Sequence, residues 1–210
     1  MGHRALPYVC VVTNIIAGLY GLSTFTQLYG LYRGEYLVKP AHEIKVDLWL
    51  KFHQENRFYV DNFSTTKPND FYTIEFQQKL VVQSLIDFER DQGYTFGVLS
   101  HNSKKILAKI KTQRDLNRNH NYVTIELIIE YRFRNIEFGE SILKCIIDFL
   151  FKSREIHKIY AQILTDDVYS IQLFTQNNFL HEGKLMKSYH VNGEWRDHLL
   201  YALINPGNSK

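Results

Sequence analysis

The order of elements between Tyr122 and Leu164 constrains the fold of this chain more than any other feature. The stretch "YVTIELII" (Tyr122–Ile129) has the composition of a strand, an apolar helix follows it to about Lys152, and "HKIYAQIL" (His157–Leu164) is a second short apolar strand. A strand, a helix and a strand in one sheet form a crossover unit, which sets the two strands parallel. The sheet is therefore predicted to contain a parallel pair.

The other apolar runs are typical of antiparallel strands. The polar stretch "SHNSKK" joins two of them, and Asn192-Gly193 joins the last two, a dipeptide that strongly favours a two-residue hairpin turn. This order predicts an α+β (mixed α/β) domain with a mostly antiparallel central sheet, flanking helices and a C-terminal hairpin. The predicted strands outside the crossover unit are Glu35–Pro40, Tyr94–Leu99, Ile106–Thr112, Phe179–His190 and Trp195–Ile204.

Apolar residues at helical spacing predict two amphipathic helices before the meander. A third, short helix is predicted in "DDVYSIQLFTQNN", with Asp166 or Asp167 as its N-cap and Asn178 in the left-handed position after its end. The predicted apolar stripes are Ile44, Leu48, Trp49 and Phe52 in the first helix, and Phe76, Leu80, Val81, Ser84 and Leu85 in the second.

Composition and charge exclude several classes of protein. Apolar content of 45%, charged content of 22% and a net charge of +3 are typical of a soluble globular protein and give no dense basic stripe, so no nucleic-acid partner is predicted. Two distant cysteines, Cys10 and Cys145, form no disulfide framework, and Cys145 lies on the apolar face of its helix. We expect a cytoplasmic protein, and the histidine spacing predicts no metal site.

The N-terminal segment is unusual because Ala5 to Tyr32 contains no Lys, Arg, Asp or Glu. That length could span a bilayer. Asn14, Gln27 and several Ser, Thr and Gly residues dilute its apolarity, so an appended aromatic-rich segment packed on the domain, or a poorly ordered extension, is preferred over a membrane anchor. The predicted organisation is an N-terminal extension (1–34), one domain (35–205) and a short tail (206–210).

The best candidate for chemistry is the passage from strand to helix at Tyr131–Gly139. A helix that starts just after a strand presents unpaired backbone N–H groups at the positive end of its dipole, which suits a phosphate or pyrophosphate. Arg132 and Arg134 would add attraction for an anion.

From about Glu35 to Asn205 the chain resembles the GNAT acetyltransferases, in particular the Rim-type branch that acetylates the N-termini of ribosomal proteins. The most specific segments are "IHKIYAQI", "DVYSIQLFTQNNF", "HEGKL" and "NGEWRDHLLYALI", in the order and spacing of that branch. "EYLVKP", "ENRFYVDNF" and "FYTIEFQ" carry the resemblance in the first half. It implies the GNAT fold.

The resemblance implies acetyl-CoA as co-substrate, with its pyrophosphate on the turn Arg/Gln-x-x-Gly-x-Gly/Ala. Here Gly139 keeps the second glycine, while Glu137 replaces the first. A non-glycine residue in a left-handed backbone conformation would cost roughly 1–2 kcal/mol. Repulsion between its carboxylate and the pyrophosphate would cost a further ~1–4 kcal/mol. The implied cofactor-binding residues are Ile129, Arg134, Asn135, Ile136, Glu137, Phe138, Gly139, Glu140, Asp167 and Ser170.

Two further positions depart from the family pattern. Asp167 stands where the family has an asparagine that helps to hold the CoA arm, and a carboxylate caps a helix but cannot donate a hydrogen bond. Phe174 is nearest to a tyrosine that protonates the leaving thiolate in many members, although Rim-type members often lack it. These departures motivate an alternative, a catalytically weak or inactive GNAT domain kept as a binding or regulatory protein.

The implied reaction is direct attack of a neutral amine on the acetyl thioester. The acceptor is a protein N-terminus or a small-molecule amine, and neither it nor the oligomeric state is specified by the sequence. Glu126, on the strand that leads into the turn, is the first candidate for general base, with a solvent-facing strand glutamate as the alternative. Ser188 and Tyr189 on the closing hairpin are candidates for the acceptor side.

Overall fold

A computed structural model describes residues 10–14, 26–30, 36–115, 117 and 120–208. Its main feature is a seven-stranded sheet in the order β3-β4-β5-β6-β7-β9-β8, in which only the neighbours β6 and β7 are parallel. The predicted fold class and parallel pair are confirmed. The strands are β3 (Tyr36–Pro40), β4 (Gly93–Ser100), β5 (Ile106–Arg114), β6 (Tyr122–Ile129), β7 (Lys158–Leu164), β8 (Leu180–Val191) and β9 (Glu194–Ile204).

Two strands of the N-terminal segment form a separate antiparallel ribbon. These are β1 (Cys10–Asn14) and β2 (Thr26–Gly30), paired from Cys10↔Gly30 to Asn14↔Thr26. The remainder of the predicted extension lies outside the described residues. Within the described part of the chain, no helix is long and apolar enough to cross a membrane.

Helices cover both faces of the sheet. One face carries the larger core, to which α4 contributes Ile142, Cys145 and Ile146, so the predicted core position of Cys145 is confirmed. The other face carries a smaller core with Trp49 and Phe52. The helices are α1 (Val46–Glu55), α2 (Arg57–Phe63), α3 (Ile74–Glu89), α4 (Ile136–Asp148), continued by a π-turn at Phe149–Ser153, and α5 (Val168–Gln176).

Close contact between α1 and the sheet requires a glycine. A Cβ on Gly97 of β4 would lie 2.5 Å from Ile44 Cδ1 and 3.1 Å from the Trp49 ring. Ile44 is buried as predicted, but it has extended backbone (φ −108, ψ 135) and precedes α1, so its assignment to the helix was wrong. The turn before α1 places its side chain against the sheet.

The buried face of α3 differs from the predicted stripe. Gln77, Ser84 and Phe88 are buried, while Leu80 is 36% exposed. The Gln77 side-chain amide donates to the Phe71 carbonyl oxygen at 2.6 Å, so this polar group is satisfied inside and the helix can turn it inward. A stripe chosen by apolarity alone therefore misplaced the face by about one residue.

The predicted turn residues are confirmed. Asn178 has φ 64 at the end of α5, and Asn192 and Gly193 have φ 46 and 86 between β8 and β9. Positive φ at both central positions is the geometry of the two-residue hairpin that an Asn-Gly pair favours. This turn fixes the register of the closing hairpin, which brings Tyr189 and His198 into contact (ring centroids 4.9 Å apart).

Candidate active site

The parallel strands β6 and β7 separate before they end. Their pairing runs from Tyr122↔Lys158 to Ile125↔Ala161, whereas β6 continues to Ile129 and β7 to Leu164. The resulting wedge opens at the carboxyl ends of both strands. Because α4 follows β6 and α5 follows β7, two helix N-termini flank it, an arrangement that favours an anionic ligand.

The backbone of β6 directs N–H groups into this wedge. Glu130 N donates to the Leu107 carbonyl oxygen of β5 at 2.8 Å, so the Glu130 N–H points away from β7. Strand geometry alternates these directions, which turns the N–H groups of Leu127 and Ile129 toward the wedge. Two backbone donors are therefore available where β6 has no strand partner on that side.

A cavity of about 330 Å³ extends from the wedge along the sheet face that carries α1 and α2. Four of the predicted site residues line it: Glu126, Asp167, Ser170 and Tyr189. The same cavity is lined by residues that the sequence did not single out, among them Tyr59, Ser64, Thr65, Lys111 and His198. A larger open groove of about 1190 Å³ runs along α4 and shares none of these residues.

The predicted phosphate turn is a capped helix start. Asn135 is the N-cap of α4, and its side-chain oxygen accepts from Phe138 N at 2.9 Å. Glu137 lies in the first helical turn, outside the left-handed region, so the predicted backbone cost at this position was wrong. Its side chain is exposed, and a carboxylate in the first turn stabilises the helix through its interaction with the helix dipole.

Gly139 serves the packing of α4 against α5. A Cβ at this position would lie 2.7 Å from Tyr169 Oη and 2.9 Å from Leu173 Cδ1. Both are closer than ordinary van der Waals contact, so the glycine lets the two helices that flank the wedge approach each other. Its role for phosphate binding stays a prediction.

Arg134 and Asp167 are bound to each other. Arg134 donates to Asp167 Oδ1 at 3.1 Å, and its guanidinium lies between the rings of Tyr59 and Tyr169 at 4.3 and 4.5 Å from their centroids. Such cation–π contacts are stabilising when the charge is shielded from water. We call Arg134, Asp167, Tyr59, Tyr169 and Ser170 the Arg134 cluster.

Asp167 also accepts the other hydrogen bonds of this cluster. Tyr59 Oη donates to Oδ2 at 2.7 Å and Ser170 Oγ to the same oxygen at 2.6 Å, while Ser170 N donates to Oδ1 at 3.3 Å. The last bond confirms Asp167 as the N-cap of α5. Burial and the nearby Asp167 carboxylate raise the pKa of Tyr59, and burial raises the pKa of Tyr169 to about 12. Both tyrosines therefore stay protonated.

The other predicted cofactor residues differ in what they can offer. Ile129 and Phe138 are buried in the core, so only their backbone could reach a ligand. Ile136 packs partly buried against the same core, and Glu140 pairs with Lys144 at 3.1 Å. Among the predicted cofactor-binding residues, those at the start of α4 and in the Arg134 cluster are therefore the candidates for direct side-chain contact with the cofactor.

Glu126 lies in a strongly positive environment. Burial would raise the pKa of its carboxyl, but Lys109, Lys67 and the hydrogen bond from Ser64 Oγ (3.0 Å) outweigh burial and lower that pKa to about 2. The carboxylate is therefore ionised at neutral pH and is a weak proton acceptor. It can orient or attract a cationic group more readily than it can remove a proton.

His198 is a site residue that sequence reasoning missed. It is 6% exposed, and its Nδ1 lies 3.0 Å from Ser188 Oγ and 3.3 Å from the Arg196 carbonyl oxygen. Because a carbonyl oxygen only accepts, the contact with Arg196 favours the tautomer that has the proton on Nδ1 and the lone pair on Nε2. Burial lowers the pKa of His198, so the ring is neutral at pH 7 and can accept a proton. No spacing in the sequence marks this histidine.

The position nearest to the family's tyrosine holds no proton donor. Phe174 is 3% exposed and packs edge-to-face on Phe179, with centroids 4.9 Å apart. Tyr169 on the same helix donates its hydroxyl to the Asn135 carbonyl oxygen at 3.0 Å. That bond joins the starts of α4 and α5 across the mouth of the wedge.

Comparison with known proteins agrees with this geometry. The family model described as an acetyltransferase (GNAT) domain matches residues 44–200. The probable N-acetyltransferase YjcK of Bacillus subtilis (strain 168) is 22% identical over 173 residues, which cover 82% of this chain and 96% of that protein. Among solved structures, a ribosomal-protein-S5-alanine acetyltransferase from Vibrio fischeri superposes with a TM-score of 0.75 at 20% identity, covering 81% of this chain and 93% of that one.

A second solved structure, Mycobacterium smegmatis RimJ in complex with CoA-disulfide, superposes with a TM-score of 0.74 at 14% identity and covers 83% of this chain and 84% of that one. The predicted resemblance to Rim-type acetyltransferases is thereby confirmed for the fold.

Proposed function

This chain belongs to the GNAT acetyltransferase family, and from that premise we propose that it transfers an acetyl group from acetyl-CoA to a primary amine by direct attack. The observation that carries the proposal is the wedge between β6 and β7, flanked by two helix N-termini and continuous with a cavity that holds ionisable side chains. The wedge suits the long, narrow arm of acetyl-CoA, and the cavity suits the amine acceptor.

The residues present fit acetyl-CoA in part. The N–H groups of Leu127 and Ile129 suit the thioester oxygen, and the start of α4 suits a phosphate. Arg134 and Asp167 could hold the CoA arm or its phosphates only after their mutual contact loosens, because both are engaged in the Arg134 cluster. Acetyl-CoA would supply the activated acetyl carbon; the chain supplies position and charge.

The cavity offers separate groups for attraction and for deprotonation. The ionised Glu126 attracts an ammonium group, and the neutral His198 accepts its proton through Nε2, directly or through water. The amine nitrogen then bonds to the acetyl carbon while the carbon–sulfur bond breaks, and the nitrogen loses its second proton to water as the amide forms. The thiolate takes its proton from solvent, since Phe174 offers none.

Calorimetric titration with acetyl-CoA and thiol release in the presence of amines test this proposal. We expect saturable binding and acceptor-dependent release of CoA. His198→Gln should lower kcat by roughly 10²-fold, the lower end of what general base catalysis contributes. It should leave acetyl-CoA binding unchanged and remove the decline of rate below pH 6.5. An unchanged rate in this variant would contradict the role of His198.

The alternative, a GNAT domain with weak or no activity, is favoured by one observation: the Arg134 cluster uses every oxygen of Asp167 internally. Under this alternative, millimolar acetyl-CoA causes no thermal shift in the wild type. Asp167→Asn with Glu137→Gln then restores a shift. A shift in the wild type contradicts it.

A further inference from the structure

Three lysines lie around Glu126, and one of them, Lys111, lines the cavity. Lys111 lies directly opposite Glu126 in the β5–β6 register, and Lys109, opposite Ile128, projects from the same face of β5. Lys67, in the loop after α2, donates to Ser64 Oγ at 2.7 Å and to Thr65 Oγ1 at 3.3 Å. We call Lys67, Lys109 and Lys111 the acceptor lysines.

Their charge is not neutralised locally. Some lysines elsewhere pair closely with carboxylates, as Lys158 does with Glu182 (2.8 Å) and Lys184 with Asp197 (2.7 Å). In the part of the chain that the structure describes, the acceptor lysines make no ion pair of this kind, with Glu126 or with any other carboxylate. Three lysines therefore lie around one carboxylate.

The other carboxylate that acts on Lys67, Asp61, is already engaged. Asp61 accepts from Tyr72 Oη at 2.5 Å and from Arg57 Nε at 3.2 Å. Burial lowers the pKa of Lys67 to about 8, with Lys109 and Lys111 opposing the attraction of Glu126, and burial also lowers the pKa of Lys109. An additional anion in this place would relieve the excess positive charge.

We propose, on the basis of the proposed acetyl transfer, that the acceptor carries a carboxylate a few bonds from its primary amine, which the acceptor lysines bind while Glu126 meets the ammonium group. A peptide N-terminus followed by Asp or Glu has this chemistry, and so does a free amino acid. A polyamine has the opposite charge and is a poor fit.

Matched peptides test the charge preference. Thiol release is measured with two peptides that are amidated at the C-terminus and differ only in Asp or Asn at the second residue, and with a free amino acid and a polyamine. We expect kcat/KM to be about tenfold higher for the Asp peptide than for the Asn peptide, and lowest for the polyamine. The free amino acid distinguishes a small-molecule source of the carboxylate from a peptide source.

Lys111→Gln should reduce the preference for the Asp peptide about threefold or more, because it removes one cation opposite Glu126. Lys104→Gln is the matched control: it removes the same charge from the exposed turn between β4 and β5 and should leave the preference unchanged. Lys111 is exposed, so its loss is not expected to prevent folding.

Different results separate this inference from the proposed function. Equal kcat/KM for the two peptides, or a preference that Lys111→Gln leaves intact, overturns the inference while acetyl transfer stands. Absence of thiol release with every acceptor, together with no heat of binding for acetyl-CoA, overturns both.

Discussion

Asp167 and Glu126 are carboxylates that line the same cavity, yet their surroundings differ. Asp167 is 6% exposed and accepts from Arg134, Tyr59 and Ser170, so its charge and both oxygens are satisfied within the protein. Glu126 accepts from Ser64 and faces lysines that make no ion pair with it among the described residues. The first carboxylate is held by the protein itself, whereas we infer that the second is available to a ligand.

The comparison predicts its largest effect at Asp167. Asp167→Ala removes the cap of α5 and leaves Tyr59 and Arg134 without their acceptor, so the free energy of unfolding should fall by about 2–4 kcal/mol. Urea denaturation measures it. Asp166→Ala is the matched control, since Asp166 is exposed and its pair with Arg196 is worth at most about 1 kcal/mol. An equal loss of unfolding free energy in the two variants would contradict the structural role assigned to Asp167.

A smaller effect, dependent on pH, is expected at Glu126. The folded protein lowers the pKa of this carboxyl from 4.5 to about 2, so the unfolded chain binds the proton more readily. The resulting stabilisation is fully present above pH 4.5 and is lost as the pH falls toward 2. Because the side chain is only partly buried, we expect about 1–2 kcal/mol.

Denaturation of the wild type and of Glu126→Gln at pH 6 and at pH 3 measures this contribution. The difference in stability between the two proteins should be smaller at pH 3. Glu75→Gln, a change at an exposed glutamate of α3, should show no such convergence. A gap that stays constant from pH 6 to pH 3 would show that folding does not lower the pKa of Glu126 and would contradict the positive surroundings assigned to it.

The smallest effect concerns Glu137, a third carboxylate near the wedge. Because it is exposed at the start of α4, Glu137→Gln should change stability by less than about 0.5 kcal/mol. Removal of its negative charge should strengthen acetyl-CoA binding roughly threefold to tenfold. Calorimetry with the wild type and the variant measures the affinity. Weaker binding in the variant would assign the carboxylate a direct role in holding the ligand.

Local sequence signals were sufficient for most of the fold. Asn192-Gly193 determined the closing hairpin, Asp167 and Asn178 marked the ends of α5, and the spacing of Tyr122–Ile129 and His157–Leu164 required the parallel pair. Each of these depends on neighbours in the chain. The buried face of α3 was predicted wrongly because the prediction used only apolar residues. Gln77 is polar, yet it is buried, since its side-chain amide donates to the Phe71 carbonyl oxygen.

The site was less predictable because distant segments build it. Tyr59 reaches Asp167 across 108 residues, Ser64 reaches Glu126 across 62, and His198 enters through the register of the last hairpin. The periodicity of apolar residues carries no information about contacts between residues so far apart in the sequence. The family motif correctly located the turn, but the backbone cost predicted for Glu137 was wrong. Asn135 caps α4, so Glu137 already has helical backbone and does not need a left-handed conformation.

Tyr59 links the two halves of the cavity. It belongs to α2, which immediately precedes Ser64 and Lys67 on the acceptor side, and its hydroxyl holds Asp167 at the start of α5 on the cofactor side. A ligand that displaces α2 therefore alters the hydrogen bonds of Asp167, and a ligand that draws Arg134 from Asp167 alters the support of α2. We therefore expect ligands of the two halves to be coupled through Tyr59, and by linkage each then changes the affinity of the protein for the other by the same factor.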